Sequence, residues 1–275
     1  KGIGPKKVGV IWRELGIESV GELLYACNEN RLVELKGFGE KTQNLVKHSI
    51  EYAISNLGKF HYAAVEQLAN QLCEEIKTVT SVKNVSLTGT IRRKSEIIEK
   101  IELIAACDDP MALKNSLAES LVVDRQNISL SDNIINTVTL NGIPVVIFVC
   151  LPENFYWKLF ETTGNAEHID KLQAKEILTA TTEEEIYKTA GVNFVLPELR
   201  EGLNEVELAK RNALPKLLEY TDLKGILHNH TKYSDGLHSL EKMALYCKEL
   251  GYEYLGICDH SQSAYYASGM KPDKV

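Results

Sequence analysis

Leu87-Thr88-Gly89-Thr90-Ile91-Arg92-Arg93, followed by Ile97-Ile98-Glu99-Lys100-Ile101-Glu102-Leu103-Ile104-Ala105-Ala106, decides how the middle of this chain reads. Ile97, Glu99, Ile101 and Leu103 alternate with Ile98, Lys100 and Glu102, which predicts a strand over 97–106. Val82 to Thr88 predicts a strand before it. Ile134–Leu140 and Ile143–Cys150 flank Asn141-Gly142, a residue pair suited to the tight turn of a β-hairpin. Tyr62 to Val79 reads as a helix, as does Pro110 to Leu117 with proline in its first turn. Further helices are expected at about 153–161, 166–176, 182–190 and 203–219. Residues 60–200 therefore read as a mixed α/β domain.

Toward the N-terminus, Lys1-Gly2-Ile3-Gly4-Pro5-Lys6-Lys7 and Lys36-Gly37-Phe38-Gly39-Glu40-Lys41-Thr42 repeat one pattern at a distance of 35 residues. Each holds an apolar residue between two glycines and then enters a helix. Val8, Ile11, Trp12 and Leu15 recur at helical spacing. Val20, Leu23 and Leu24 follow Ser19, and Leu45, Val46, Ile50 and Ala53 run toward Gly58. Glycine allows a tight turn and a close approach to a ligand. The free N–H groups and positive dipole end of the following helix suit a phosphate. The pair resembles the helix-hairpin-helix motif, which holds DNA backbone without reading sequence. That resemblance implies Gly2, Gly4, Lys6, Gly37, Gly39 and Lys41 as DNA-binding residues, although Glu40 opposes binding at the second hairpin. Two corners that merely pack are the competing reading.

Toward the C-terminus stands His228-Asn229-His230-Thr231-Lys232-Tyr233-Ser234-Asp235-Gly236, and later Ile257-Cys258-Asp259-His260-Ser261. A strand over Gly225–Asn229, a helix over Ser239–Leu250 and a strand over Tyr252–Cys258 make one β-α-β unit, the start of a parallel α/β domain. His228 and His230, two apart on a strand, point one way. Imidazoles so placed suit zinc, manganese or iron. Asp235 follows in the loop. His260 ends the next strand, where α/β barrels place their sites. Asp259 is expected either to orient an imidazole or to bind metal itself. His48, His61, His168 and His238 read as ordinary surface or capping residues.

The central stretch resembles the palm of a family X DNA polymerase. That family has Gly-Ser, an Arg pair, a strand bearing Asp-x-Asp and a third Asp on a later strand, which together hold two Mg²⁺ for phosphoryl transfer. Here Gly89-Thr90 stands at the Gly-Ser and Arg92-Arg93 at the Arg pair. Lys100 and Glu102 fall on the Asp positions, and Val146 on the third. Thr163-Gly164-Asn165 resembles the Thr-Gly-Ser segment near the incoming nucleotide. The resemblance implies Gly89, Thr90, Arg93 and Gly164 as nucleotide-binding residues, with Glu102 the one catalytic carboxylate kept for Mg²⁺ or Mn²⁺. One carboxylate does not supply the several oxygens that two hard cations require, so an inactive palm is expected. Substitution by Glu96, Glu99 or Asp108 is the alternative. Residues 170–183 look shortened against the family.

The C-terminal motifs resemble the opening of a polymerase-and-histidinol-phosphatase (PHP) domain, a (β/α)7 barrel with a three-metal cluster that hydrolyses phosphate esters or trims DNA 3′ ends. That implies His228, His230, Asp235 and His260 as metal ligands, with others on later strands. Pro197-Glu198-Leu199-Arg200-Glu201 and Leu214-Pro215-Lys216-Leu217-Leu218 resemble the junction of polymerases fused to PHP. The expected fold is thus a multidomain α+β and α/β chain. It has an all-α helix-hairpin-helix region (1–58), a polymerase beta-like nucleotidyltransferase palm and thumb (59–200), a linker (201–222) and a truncated PHP start (223–275).

Composition agrees with a globular class. The 275 residues carry 31 Lys plus Arg against 38 Asp plus Glu, a net charge of −7, with 44% hydrophobic and 25% charged residues. These values exclude collagen-like, coiled-coil and wholly disordered chains. Residues 1–59 hold nine Lys/Arg against seven Glu, so +2, which leaves −9 for the remainder. The longest apolar run, Val145–Leu151, is far short of a membrane span. Six scattered cysteines without a Cys-x-x-Cys pair read as reduced thiols of a cytoplasmic protein. The sequence opens at Lys1, inside a motif, and is expected to be a fragment. The expected function is DNA binding in repair, with a silent polymerase site and PHP metal hydrolysis in the full-length protein. An active polymerase with substitute carboxylates and a non-catalytic DNA-binding scaffold are the alternatives. Oligomeric state is not readable.

Overall fold

Three helices open the described chain, residues 3–274 of a computed structural model: α1 (Pro5–Leu15), α2 (Val20–Asn28) and α3 (Glu40–Ser55). Pro5 occupies the first helical position, where its missing N–H costs nothing. Ser19 and Glu22 form a reciprocal capping box on α2. Ile11, Ala26, Cys27, Leu32, Phe38, Val46 and Ile50 close over a small core. α3 ends at Ser55 rather than reaching Gly58.

Next come β1 (Phe60–His61), α4 (Tyr62–Lys77), β2 (Val82–Leu87), α5 (Gly89–Arg92), β3 (Ile97–Ile98) and β4 (Ile101–Cys107). They are followed by α6 (Pro110–Leu117), β5 (Ser129–Ser131), β6 (Ile134–Val138) and β7 (Pro144–Cys150). The five-stranded sheet runs β2-β4-β7-β6-β5, with β4 and β7 parallel and the other pairs antiparallel. β6 and β7 form the expected hairpin. The single strand expected over 97–106 is instead two. Ile98 pairs with Phe60 in a separate two-stranded sheet, and the chain bends at Glu99-Lys100 before Ile101 joins the large one. Two different pairing partners force that break. Ile101, Leu103, Ala105 and Cys107 face a core shared with α4, α6 and β7. Ile104 and Ala106 face the other way, against Phe155 and Leu159.

Four helices complete this unit: α7 (Phe155–Thr163), α8 (Ala166–Leu172), α9 (Glu183–Thr189) and α10 (Glu205–Lys210). Trp157, Phe160, Leu172, Ile186, Tyr187, Val195 and Val206 form its third core. The helix expected over 203–219 is only α10. Asn212 turns left-handed at φ 56°, and Leu214 precedes Pro215, a position that disfavours helix. The unit ends at Leu214.

A second unit begins at Pro215. β8 (Gly225–Asn229) and β9 (Tyr254–Ile257) are parallel and joined through α11 (Leu240–Glu249), which Ser239 caps. This is the expected β-α-β unit. All six cysteines are free. Among the described residues no helix is long and apolar enough to cross a membrane.

Candidate functional sites

Alternation along β4 sends Glu102 to the face opposite the main core. The parallel register sets Glu102 beside Val146, and Asn136 of β6 lies across from Val146 on the far side. Lys100 Nζ reaches Glu102 Oε1 at 2.8 Å. The Glu102 backbone carbonyl accepts from Thr88 N–H at 2.8 Å. Gly89 sits at φ 61°, a conformation that favours glycine, and the Glu102 carboxylate packs directly against it. The face therefore offers one carboxylate already paired with an ammonium, next to an aliphatic side chain.

Behind this face the basic pair is engaged within the protein. Arg92 donates to Thr163 Oγ1 at 2.7 Å and to both Glu183 oxygens, at 3.1 and 2.5 Å. Arg93 donates to Glu201 at 2.7 Å and to the Thr163 carbonyl at 2.8 Å. Thr88 Oγ1 meets Thr162 Oγ1 at 2.6 Å. These contacts bring α5, with Gly89, Thr90 and Arg93, against the end of α7, where Gly164 caps the helix.

Sequence reading missed the group that anchors this junction. Arg200 is fully buried, donates to Glu183 at 2.5 Å and to the Val195 carbonyl at 2.9 Å, and lies about 5 Å from the Tyr187 and Phe194 rings. Burial raises the Glu183 carboxyl, but Arg92 and Arg200 outweigh it and hold the group ionised, below the usual carboxylate range. His168, read as a surface or capping residue, is instead wholly buried. Its Nδ1 pairs with Glu205 at 2.7 Å and its Nε2 with the Tyr187 hydroxyl at 2.8 Å. Desolvation lowers the His168 pKa more than Glu205 raises it, and in the neutral ring the Glu205 carboxylate calls for the proton on Nδ1, which leaves Nε2 to accept from the Tyr187 hydroxyl. Isolated polar letters amid apolar helices carry no periodic signal for such a network.

In the second unit β8 bends at His228, which adopts φ 60°, and its register with β9 shifts between Ile226 and Asn229. Simple strand alternation does not carry His228 and His230. Their rings nevertheless stack at 5.4 Å. His230 Nδ1 lies 3.0 Å from Asp235 Oδ1, and His260 Nε2 lies 3.6 Å from Asp235 Oδ2. His230, Asp235 and His260 each offer a ligand atom, all within 4.8 Å of one another, whereas His228 stands outside that group. Desolvation raises the Asp235 carboxyl, but the His230 hydrogen bond and the neighbouring imidazoles outweigh it and keep it below its ordinary value. Two imidazoles and a carboxylate fit zinc, manganese or iron.

In the helical region Gly4 and Gly39 are the N-caps of α1 and α3, and Gly37 turns left-handed at φ 87°. Lys6 and Lys41 are exposed. Lys7 Nζ lies 5.1 Å over the Phe38 ring, so the first hairpin's second lysine rests on the second hairpin's apolar residue. Gly2 lies outside the described residues.

Comparison with known proteins accords with this geometry. Residues 1–46 match the SAM-like helix-hairpin-helix tandem family. The whole chain is 27% identical, over 295 aligned positions, to the DNA polymerase/3′-5′ exonuclease PolX of Bacillus subtilis (strain 168). Along its whole length this chain is similar to a family X DNA polymerase. It spans about half the length of that relative, 51%. The mixed sheet is consistent with a polymerase beta-like fold; Glu102 and Val146 are neighbours on it, and Lys100 reaches Glu102 from the bend before β4.

Proposed function

We propose that this chain is the DNA-binding portion of a family X polymerase fused to a PHP domain, acting in DNA repair from the cytoplasm, with a polymerase site that no longer transfers nucleotides. The Lys100–Glu102 ion pair at 2.8 Å, beside Val146, carries the reading. The ammonium sits where a divalent ion would need a ligand, and the valine has no lone pair to offer. Gly89, against Glu102, with Thr90, Arg93 and Gly164 would form the former nucleotide site, while Arg93 donates to Glu201 and to the Thr163 carbonyl. The two glycine hairpins with Lys6 and Lys41 grip DNA phosphates without reading bases. The helix-hairpin-helix region would run to 58 and the palm and thumb to Leu214 rather than 200, since α10 packs into their core, with the start of PHP in the unit from Pro215.

The surviving chemistry belongs to the second unit. His230, Asp235 and His260, with His228 beside them, would hold a divalent metal that activates water for phosphate-ester or DNA 3′-end hydrolysis. Asp235 lies between the two rings, hydrogen-bonded to His230 Nδ1 at 3.0 Å and 3.6 Å from His260 Nε2.

Primer extension by this chain with Mg²⁺ or Mn²⁺ tests the silent palm, and robust template-directed incorporation would overturn it. Metal analysis of the full-length protein, together with phosphoesterase assays of wild type and His228→Ala, tests the PHP reading. Full-length protein that neither holds metal nor cleaves phosphate esters removes it.

A further inference from the structure

Thr231 is fully buried, although a polar residue on the turn between β8 and α11 would ordinarily face solvent. Its N–H and its hydroxyl both donate to the Asp259 carboxylate, at 2.7 and 2.6 Å. Ser234 donates a third bond to the same group at 2.6 Å. Three further bonds of the turn end on Thr231. Its Oγ1 accepts from Tyr233 N–H at 3.1 Å, and its carbonyl accepts from Ser234 N–H at 3.1 Å and Gly236 N–H at 2.9 Å. Gly236 packs against backbone, since a Cβ there would lie 2.0 Å from the His230 carbonyl oxygen. Asp235 is among the exposed side chains of this turn, with Lys232 and Tyr233. Asp259 stands between Cys258, whose N–H bonds the Asn229 carbonyl at 2.8 Å, and His260, whose carbonyl accepts from Met270 N–H at 2.7 Å.

We propose that Asp259 is the positioning residue of the metal centre, tying the turn that carries Asp235 to the strand end that carries His260. This inference rests on the reading that His230, Asp235 and His260 hold a metal. Both Asp259 oxygens accept from donors of the turn, which commits the carboxylate to Thr231 and Ser234. Bonds to an ionised acceptor are about twice as strong as neutral ones, and three of them converge on one side chain. The distance from Asp235 to His260 is therefore set from behind, by a group that touches neither.

Cobalt(II) titration of the full chain, read by its visible absorption, tests the proposal. Asp259→Ala is expected to weaken cobalt binding roughly 10–100-fold, as loss of an orienting partner does. The spectrum of its bound cobalt should match that of Asp235→Ala. Thr231→Val, which keeps shape and removes one donor, should weaken binding in the same direction by less. Asp259→Asn, which keeps one acceptor oxygen, should recover part of the loss. Backbone amide exchange at Ser234 and Gly236 in metal-free protein should quicken at least about tenfold in Asp259→Ala, since the turn loses its anchor. Wild-type affinity in both Asp259→Ala and Thr231→Val overturns the proposal, as does unchanged amide exchange. Lower affinity in Asp259→Ala with an unaffected Thr231→Val makes Asp259 a ligand and also overturns it. A wild-type chain that takes up no cobalt removes the metal reading instead, and amide exchange then decides the Asp259 tie alone.

Discussion

Glu102 on β4 and Val146 on β7 are direct neighbours across the parallel register, and the cation beside them is Lys100, 2.8 Å from the Glu102 carboxylate. Parallel pairing sets these two positions side by side on adjacent strands. The side chains at two of the three positions bring a positive charge and a methyl surface. An ion pair at this place satisfies Glu102 without any metal.

Restoring carboxylates should therefore restore a cation site. Lys100→Asp combined with Val146→Asp is expected to bind one more Mn²⁺ per chain than wild type, measured by electron paramagnetic resonance of free Mn²⁺. Adding Glu102→Gln should abolish the extra ion. No gain in the double variant would mean that the face has lost more than its ligands.

Glu183 is the shared acceptor of Arg92 and the buried Arg200, with side-chain exposures of 18% and 0%. Removing it strands a guanidinium inside the protein. Glu183→Ala should lower stability by about 3–5 kcal/mol in urea unfolding, the usual result of breaking a buried pair from one side. Arg92→Ala should cost less, because the acceptor keeps Arg200. Glu183→Ala with Arg200→Met should recover much of the loss, since no buried charge is left unpaired.

The His168 network makes stability fall in acid. Burial lowers the His168 pKa, so the unfolded chain binds a proton that the folded one refuses. Stability therefore declines as pH drops below the ordinary histidine value near 6.5. Glu183 and Glu205 are also lowered, despite desolvation that opposes the shift, so their contribution is present above the ordinary carboxylate value and is lost as pH falls through their folded pKa. Two stages of acid loss are expected in urea midpoints taken from pH 8 to 3. In His168→Gln the upper stage should disappear and the lower one persist.

Phosphate grip by the hairpins predicts a strong salt dependence. Lys6→Glu and Lys41→Glu should each weaken binding to any duplex alike and reduce the slope of log affinity against log salt by about 0.9 per lost phosphate contact. Lys7→Glu should act differently, because its ammonium rests on Phe38, and a loss of helical stability should accompany its loss of binding. Affinity and slope unchanged in the first two variants would count against these hairpins as the DNA grip.

Local chemistry was legible wherever it was periodic or punctuated. Pro110, the Asn141-Gly142 turn, the Ser19 cap and the β-α-β unit around α11 all came from residues acting on their own neighbours along the chain. So did the three metal-ligand candidates that the structure groups within 4.8 Å. Tertiary contacts alone decided the rest. β3 and β4 separate because each finds a different partner strand, which no alternation within 97–106 encodes. Arg92 and Arg93 are tied to Glu183 and Glu201, some ninety and more residues away, so their partners are visible only once α9 and the segment after it fold against α5. His168 and Arg200 look like surface letters until the third core closes around them and their charges or hydrogen bonds must be met inside it. Asp259 takes the Thr231 donors for the same reason: Thr231 is buried, and its N–H and hydroxyl need an acceptor. Spacing placed the chemistry on its elements, while desolvation, acting only in the folded chain, determined which partner each polar group took.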